Sequence, residues 1–123
     1  MKRGNGRCSF CDLEKETVLH LFTDCEYLKP IWHAVNIMVR KMFPNDQYNI
    51  IHSENIILGV GNMYVDFIIA YTKWILWKAR NLIVFENKWF NISDINQWIQ
   101  NTVNEQITLY NGLKYDSKFP IFK

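Results

Sequence analysis

Residues 8–25 of the chain read CSFCDLEKETVLHLFTDC, and they hold all three of its cysteines and one of its three histidines. Taken as metal ligands, Cys8, Cys11, His20 and Cys25 have the spacing C-x2-C-x8-H-x4-C. Three thiolates and one imidazole are the number and type of ligands that a closed tetrahedral zinc site uses. Four protein ligands leave no position for a water molecule, so the stretch predicts one structural Zn²⁺.

The Cys-x-x-Cys pair has two other interpretations, a redox-active dithiol and a pair of buried free thiols. A redox pair usually opens a helix that follows a strand, but the preceding residues, MKRGNGR, are polar and fit neither element. A disulfide framework favours an even number of cysteines, and this chain has three. The metal site is therefore the interpretation that we favour.

The spacing of the two distal ligands predicts a bend in the chain. His20 and Cys25 are five residues apart, which is about 140° of rotation on a straight α-helix, so both cannot face one ion from such a helix. We expect a short helix through residues 18–22 and a second helix that starts just before Pro30. Cys25 then lies in the joint between them, and the metal fixes their angle.

Length and composition predict one folded domain over residues 1–123, with a zinc-binding head at 8–32 and a helical tail at 33–123. The chain is 49% hydrophobic, and its formal net charge of +2 is too small to identify a nucleic-acid-binding protein. Metal-bound thiols fit a reducing intracellular compartment, nucleus or cytoplasm. No apolar signal segment follows the N-terminus, and charges interrupt the most apolar window, residues 64–85, so we expect no membrane association.

Apolar periodicity predicts an all-α fold, a small Cys₃His zinc head followed by a bundle of about three to four helices. Besides residues 18–22, the predicted helices cover 28–42, a short piece ending at Gly59, 63–85 and 94–111. The predicted N-caps are Thr17, Ser53, Asn62 and Ser93, and Gly112 is predicted to follow the last helix.

The longest predicted helix carries both tryptophans and cations. Its apolar stripe is Tyr64, Phe67, Ile68, Tyr71, Trp74, Ile75, Leu82 and Phe85, and Lys73, Lys78 and Arg80 lie mostly off it. These cations and Trp74 and Trp77 form either a basic–aromatic surface, where each stacked base contributes ~1–3 kcal/mol, or buried tryptophans beneath solvated cations. We favour the buried interpretation because Trp74 falls on the stripe, which Trp77 widens.

Residues 8–32, CSFCDLEKETVLHLFTDCEYLKPIW, resemble the zinc-binding segment near the C-terminus of LINE-type non-LTR retrotransposon polyproteins, where it follows the reverse transcriptase. The shared features are the ligand spacing, the segment from Glu16 to Phe22 with its His-Leu-Phe, and Lys29 and Trp32 beyond the last cysteine. This close match covers about a fifth of the chain. The Ile-Leu-Gly near residue 58 and the long helix after it are similar in layout to the same polyprotein tails.

The resemblance implies that Cys8, Cys11, His20 and Cys25 are the zinc ligands, and that the region binds template RNA or target DNA beside a reverse transcriptase core. It implies no catalytic residue, because the polymerase lies upstream in those polyproteins. The chain has no Tyr/Phe-x-Asp-Asp pair and no endonuclease carboxylate–histidine set, so we expect a module that is not an enzyme. The Met1 start just before the zinc segment indicates a fragment or relic of such an element.

The residues leave three functions open. The first is binding of RNA or single-stranded DNA, with candidate contacts at Lys2, Arg3, Arg7, Lys73, Lys78 and Arg80. The second is a structural role, in which the zinc-stapled helices pack against the polymerase or another protein, marked by an exposed aromatic patch on the long or last helix. The third is a remnant without activity.

Other polar residues carry weaker signals. Glu14, Glu16, Asp24 and Glu26 are interpreted as a solvated face, because no nucleophile or histidine accompanies them. His33 and His52 are interpreted as ordinary polar residues. Gly59-Val60-Gly61 is too short for a phosphate-binding loop and lacks a following Lys-Ser/Thr.

Overall fold

The computed structural model describes residues 6–113, and their side chains as far as Leu109. A π-helical turn at His20–Asp24 and a 3₁₀ turn at Glu26–Leu28 precede four α-helices, which are α1 (Lys29–Met42), α2 (Ser53–Leu58), α3 (Met63–Glu86) and α4 (Ile92–Leu113). The all-α prediction, with a small head before a helical bundle, is confirmed. Within this range the extended pairing is limited to one isolated antiparallel bridge, between Arg7 and Lys15. Lys2, Arg3 and the tail beyond residue 113 lie outside the described residues.

α1 buries the face that its spacing predicts. The apolar residues that recur three and four positions apart in 28–42 are all buried, namely Leu28, Ile31, Trp32, Val35, Met38, Val39 and Met42. Pro30 lies in the first turn, where its missing N–H removes no helical hydrogen bond. The α-helix itself begins at Lys29, one residue later than predicted, because Leu28 belongs to the 3₁₀ turn.

α3 begins where the sequence predicts, but its buried face overlaps the predicted stripe only in part, at Ile68 and Ile75. Asn62 Oδ1 accepts the backbone N–H groups of Tyr64 at 2.9 Å and Val65 at 3.2 Å, so Asn62 is the N-cap. The buried residues are Val65, Ile68, Ile69, Thr72, Ile75, Leu76, Ala79 and Ile83. Trp74 is 50% exposed and Phe85 is 76% exposed, so their placement in the core was wrong. The helix is apolar on nearly all sides, and its periodicity therefore did not single out the core face.

α4 starts earlier and ends later than predicted. The side chain of Asn91 accepts the N–H of Asp94 at 2.8 Å, so Asn91 takes the capping role that was predicted for Ser93. The helix continues through Gly112, which was predicted to lie beyond its end. Ser53 is likewise the first residue of α2 and not its cap. Short side chains that accept hydrogen bonds occur at several neighbouring positions, and spacing alone does not choose among them.

The core lies between α1, α3 and α4. Residues 87–91 join α3 to α4, and this short connection makes the two helices a packed antiparallel pair. α1 packs against α4, and the π-helical turn packs against α2. The head therefore lies beside the bundle and in contact with it. None of the helices between residues 6 and 113 combines the length and apolarity that crossing a lipid bilayer requires.

The loop between α2 and α3 wraps around a carboxylate of its own chain. Val60 N–H donates to Asp66 Oδ1 at 2.7 Å, and Gly61 N–H donates to Asp66 Oδ2 at 3.2 Å. Gly59 has φ +83° and ψ −179°, a conformation that only glycine adopts without strain. The backbone amides of this glycine-rich loop thus bind an internal anion.

Replacing Gly59 with alanine is expected to cost about 2 kcal/mol of folding free energy. The backbone conformation accounts for part of the cost, and a Cβ atom at this position would lie 2.6 Å from Asp66 Oδ1. Gly61→Ala is the matched control, since Gly61 has φ +85° with nothing within 4 Å of a Cβ, and it should cost only about 1 kcal/mol. Urea unfolding measures both, and equal costs would contradict the steric part of the argument.

Candidate metal centre

The four predicted ligands converge on one point. Their ligand atoms all lie within 4.8 Å of one another, and Cys8, His20 and Cys25 are buried while Cys11 is half-buried. The sulfur atoms of Cys8 and Cys25 are 3.7 Å apart, and Cys11 Sγ is 3.3 Å from His20 Nε2. A tetrahedral ion with zinc's bond lengths would separate two sulfurs by about 3.8 Å, and a sulfur and a nitrogen by about 3.6 Å. The donor set and its spacing fit such an ion.

The Cys8–Cys11 turn is held by backbone hydrogen bonds. Asp12 N–H donates to Cys8 O at 2.8 Å, and Cys8 N–H donates to Glu14 O at 2.8 Å. Asp12 has φ +56°, a left-handed conformation that aspartate tolerates better than most residues. The two cysteines therefore enter the site from a tight turn, as the Cys-x-x-Cys spacing predicts.

The π-helical turn lets His20 and Cys25, which are five residues apart, reach the same site. Cys25 N–H donates to His20 O at 2.8 Å, an i→i+5 hydrogen bond that spans the interval between the two ligands. The wider turn brings both side chains to one side of the chain. Thr17 Oγ1 accepts His20 N–H at 3.0 Å and caps the turn. Cys25 has extended backbone between the π-helical and 3₁₀ turns, so the predicted bend and its position are confirmed.

The pKa values of the two buried thiols, Cys8 and Cys25, are shifted in opposite directions. The hydrogen bond from the Cys25 thiol is the main cause that lowers the pKa of Cys8 from 9.0 to about 5; burial opposes it, and the N–H groups of Cys11 and Phe10 support it. The same hydrogen bond, followed by burial, raises the pKa of Cys25. Cys8 is the better place for negative charge because two amides point at its sulfur. A cation that binds both sulfurs would displace the proton from Cys25.

Glu16 links the head to α3 through an ion pair with Arg80, a role that the sequence did not reveal. Its carboxylate accepts hydrogen bonds from Ser9 N–H and Ser9 Oγ, each at 3.1 Å, and from Arg80 Nε at 2.8 Å. The side chains of Arg80 and Glu16 are only 20% and 16% exposed. The interpretation of Glu16 as a solvated residue was therefore wrong, because its partner is 64 positions away in sequence.

Phe10, the other residue between the first two cysteines, anchors the head through aromatic contacts. Phe10 is 3% exposed, and its ring stacks on Tyr27 with the centroids 6.2 Å apart. Tyr27 in turn contacts Trp89 at 5.4 Å and donates a hydrogen bond to Phe90 O at 3.3 Å. The turn that carries the first two ligands is thus linked through Tyr27 to the connection between α3 and α4.

The candidate nucleic-acid contacts within the described residues differ in their surroundings. Arg7 lies in the bridge with Lys15 beside the metal head, and Arg80 is engaged by Glu16, with its guanidinium carbon 5.0 Å from the Trp77 ring centroid. Lys73 is half-buried, and Lys78 is exposed on α3. His33 and His52 are exposed, and the metal-ligand cluster found in the described part of the chain includes neither.

A basic–aromatic surface lies where α3 meets α4, and it contains Trp74 and Lys78 from the predicted set. We define it by Tyr71, Trp74, Lys78 and Trp98. Lys78 Nζ lies 4.2 Å from the ring centroid of Trp74 and 5.7 Å from that of Trp98, and Tyr71 meets Trp74 edge to face at 6.0 Å. Trp98 comes from α4, so sequence reasoning on α3 alone missed it.

Compared with protein-family models, curated proteins and solved structures, the chain matches none of them at a significant level. The site is therefore interpreted from its own geometry: three sulfurs and one ring nitrogen that can hold a metal ion.

Proposed function

We propose that the protein is a non-catalytic nucleic-acid-binding module, in which one structural Zn²⁺ fixes the Cys₃His head on the helical bundle. Cys8, Cys11, His20 and Cys25 would hold the ion, and four protein ligands leave it no water to activate. The resemblance of residues 8–32 to LINE-type polyproteins supports a role beside a reverse transcriptase core in a reducing intracellular compartment, with template RNA or target DNA as the ligand.

The observation that carries the proposal is the basic–aromatic surface. Surfaces that bind single strands combine aromatic rings on which bases stack with cations that attract the phosphates. Trp74 is 50% exposed, and Lys78 holds its ammonium group 4.2 Å from the Trp74 ring centroid. The exposed position of Trp74 favours the single-strand interpretation over the buried one.

Trp74→Ala is expected to weaken binding of single-stranded RNA about tenfold, because one stacked base contributes ~1–3 kcal/mol. Lys78→Gln should reduce the slope of log affinity against log salt by about 0.7. Filter binding with RNA and DNA of matched length over a range of salt concentrations measures both. The same assay on a chain neutralised at Lys2, Arg3 and Arg7 tests the basic arm.

Lys41→Gln is the matched control for Lys78→Gln, because Lys41 is exposed in the last turn of α1. It should leave both the affinity and the salt slope unchanged. Binding that does not respond to salt, or that survives Trp74→Ala at full strength, would count against the proposal.

A specific observation favours a second candidate function, protein interaction. Besides Trp74, the described surface exposes apolar side chains on the head, α2 and α3, including Leu19, Ile57 and Trp77. An exposed apolar patch of this kind marks interaction sites in many proteins.

A further inference from the structure

An apolar groove of about 590 Å³ runs between the metal head, α2 and α3. The head contributes Val18, Leu19, Phe22 and Thr23, α2 contributes Ile56 and Ile57, and α3 contributes Lys73, Trp74 and Trp77. Val18 is 69% exposed, Leu19 52% and Ile57 49%. Apolar side chains from three separate elements, aliphatic and aromatic from the head, aliphatic from α2 and aromatic from α3, thus converge on one exposed concavity.

We infer that this groove binds an amphipathic helix of a partner protein, with the apolar face of that helix in the groove and an acidic side chain beside Lys73. The inference goes beyond the nucleic-acid binding proposed above. The groove shares only Trp74 with the basic–aromatic surface. Variants at Lys78 and at Ile57 therefore test the two sites separately.

The backbone around the groove explains why the occupant is a helix. The lining residues all belong to helical turns, whose N–H and C=O groups are directed along the helices, and no strand edge borders the groove within residues 6–113. Thr23 Oγ1 already donates to Leu19 O at 2.6 Å. An extended peptide would leave its own backbone groups without partners here, whereas a helix satisfies them internally.

The single charged residue of the groove restricts the chemistry of the partner. Lys73 is the one charged residue among those that line it. Two copies of this chain that met face to face through the groove would place two Lys73 side chains, and no acidic lining residue, in one interface, which disfavours self-association. Phosphates of a nucleic acid would face Val18, Leu19 and Ile57, which offer them no donors. An apolar helix with an acidic flank matches both the floor of the groove and its charge.

The metal ligands support one wall of the groove. Phe22 and Thr23 lie between His20 and Cys25 in the π-helical turn, and Val18 and Leu19 directly precede His20. Because an ion bound by both His20 and Cys25 would hold the two ends of this turn together, we expect removal of the metal to displace this wall. Partner binding should therefore depend on metal in addition to depending on the groove side chains.

Three fluorescein-labelled, helix-stapled peptides of about 18 residues, a length near 27 Å, test the inference on the full zinc-loaded chain. One places leucines at i, i+3, i+4 and i+7 with flanking glutamates, the second replaces the glutamates with lysines, and the third scrambles the first. Fluorescence anisotropy should show the acidic amphipathic peptide binding about tenfold or more tightly than the other two. A chelator should abolish this binding.

Ile57→Asp should weaken binding of the acidic peptide about tenfold or more. Ile37→Asp on α1 is the matched control, because Ile37 is 56% exposed and lies outside the groove; it should change nothing. Lys73→Glu should reverse the preference between the acidic and basic peptides. Leu19→Asp provides a second groove variant, and zinc content and circular dichroism verify that each variant is folded.

Several results would overturn the inference. They are failure of all three peptides to bind, equal binding of the scrambled peptide, or unchanged binding by the folded Ile57→Asp and Leu19→Asp variants. A dimer in sedimentation velocity that Ile57→Asp dissociates would instead assign the groove to a second copy. Loss of RNA affinity in Ile57→Asp would assign it to nucleic acid. RNA binding that fails while the peptide results hold would refute only the proposed function.

Discussion

Cys11→Ser is expected to release the metal and unfold the head of the protein. A structural Zn²⁺ site in a small zinc-binding peptide contributes an apparent ~10–16 kcal/mol, which is comparable with the whole ~5–15 kcal/mol stability of a typical domain. Cys11 is the half-buried ligand, so its replacement removes a metal bond with little loss of packing. Bound zinc per chain should fall from one equivalent to near zero, and the thermal midpoint should fall with it.

Two comparisons make that result specific to the metal. Leu13→Ala changes a residue of the same loop that is 77% exposed, and it should retain the ion and the midpoint. A chelator added to the parent protein should reproduce the Cys11→Ser midpoint, and His20→Ala should match it as well. A full equivalent of zinc in Cys11→Ser, or a midpoint that chelation does not move, would refute the site.

Glu16→Gln is expected to cost about 3 kcal/mol of folding free energy. Removing one partner of a buried ion pair costs ~3–5 kcal/mol, and the lower end applies because both side chains retain some exposure, 20% for Arg80 and 16% for Glu16. The neutral amide would leave Arg80 without its counter-charge, and its NH₂ group cannot accept from Ser9. Urea unfolding of the zinc-loaded variant measures the loss.

A double-mutant cycle with Arg80→Gln should give a coupling of about 2 kcal/mol between the two residues. Exchanging the pair, with Glu16→Arg and Arg80→Glu together, should not restore stability, because the Ser9 N–H and hydroxyl groups require an acceptor at position 16. Glu26→Gln is the control: Glu26 pairs with Lys29 at 3.2 Å, but their side chains are 78% and 50% exposed, so about 0.5 kcal/mol or less is expected. Additive losses in the cycle would show that Arg80 and Glu16 act independently.

The candidate metal site was predictable because its four residues lie within one short stretch of sequence. The spacing of four residues within an 18-residue stretch determines the ligand set, and the five-residue interval between His20 and Cys25 requires a bend. The form of the bend was not predictable, since a π-helical turn and a break between two α-helices satisfy the same requirement. Helix positions followed from periodicity, while several caps did not, because Asn91 and Ser93 are equally acceptable from sequence.

Contacts between residues that are far apart in the sequence could not be predicted from it. Arg80 looked like a free cation and Glu16 like a solvated acid, and only the fold brings them to 2.8 Å. The core face of α3 was also misassigned, because a helix that is apolar on most sides offers several stripes of similar strength. Tertiary packing buries Val65, Leu76 and Ala79, which lie outside the predicted stripe, and it leaves Trp74 and Trp77 on the surface.

The contact from Phe10 through Tyr27 to Trp89 has a consequence for how such a segment is inherited. A recombination event that copied only residues 8–32 into another gene would carry the four ligands. It would leave behind Trp89, which contacts Tyr27, and Arg80, which pairs with Glu16. The transplanted piece would leave Tyr27 without its contacts to Trp89 and Phe90, and Glu16 without its ion pair to Arg80. A transfer of this segment between genes would therefore preserve these contacts only if α3, α4 and the connection between them were transferred with it.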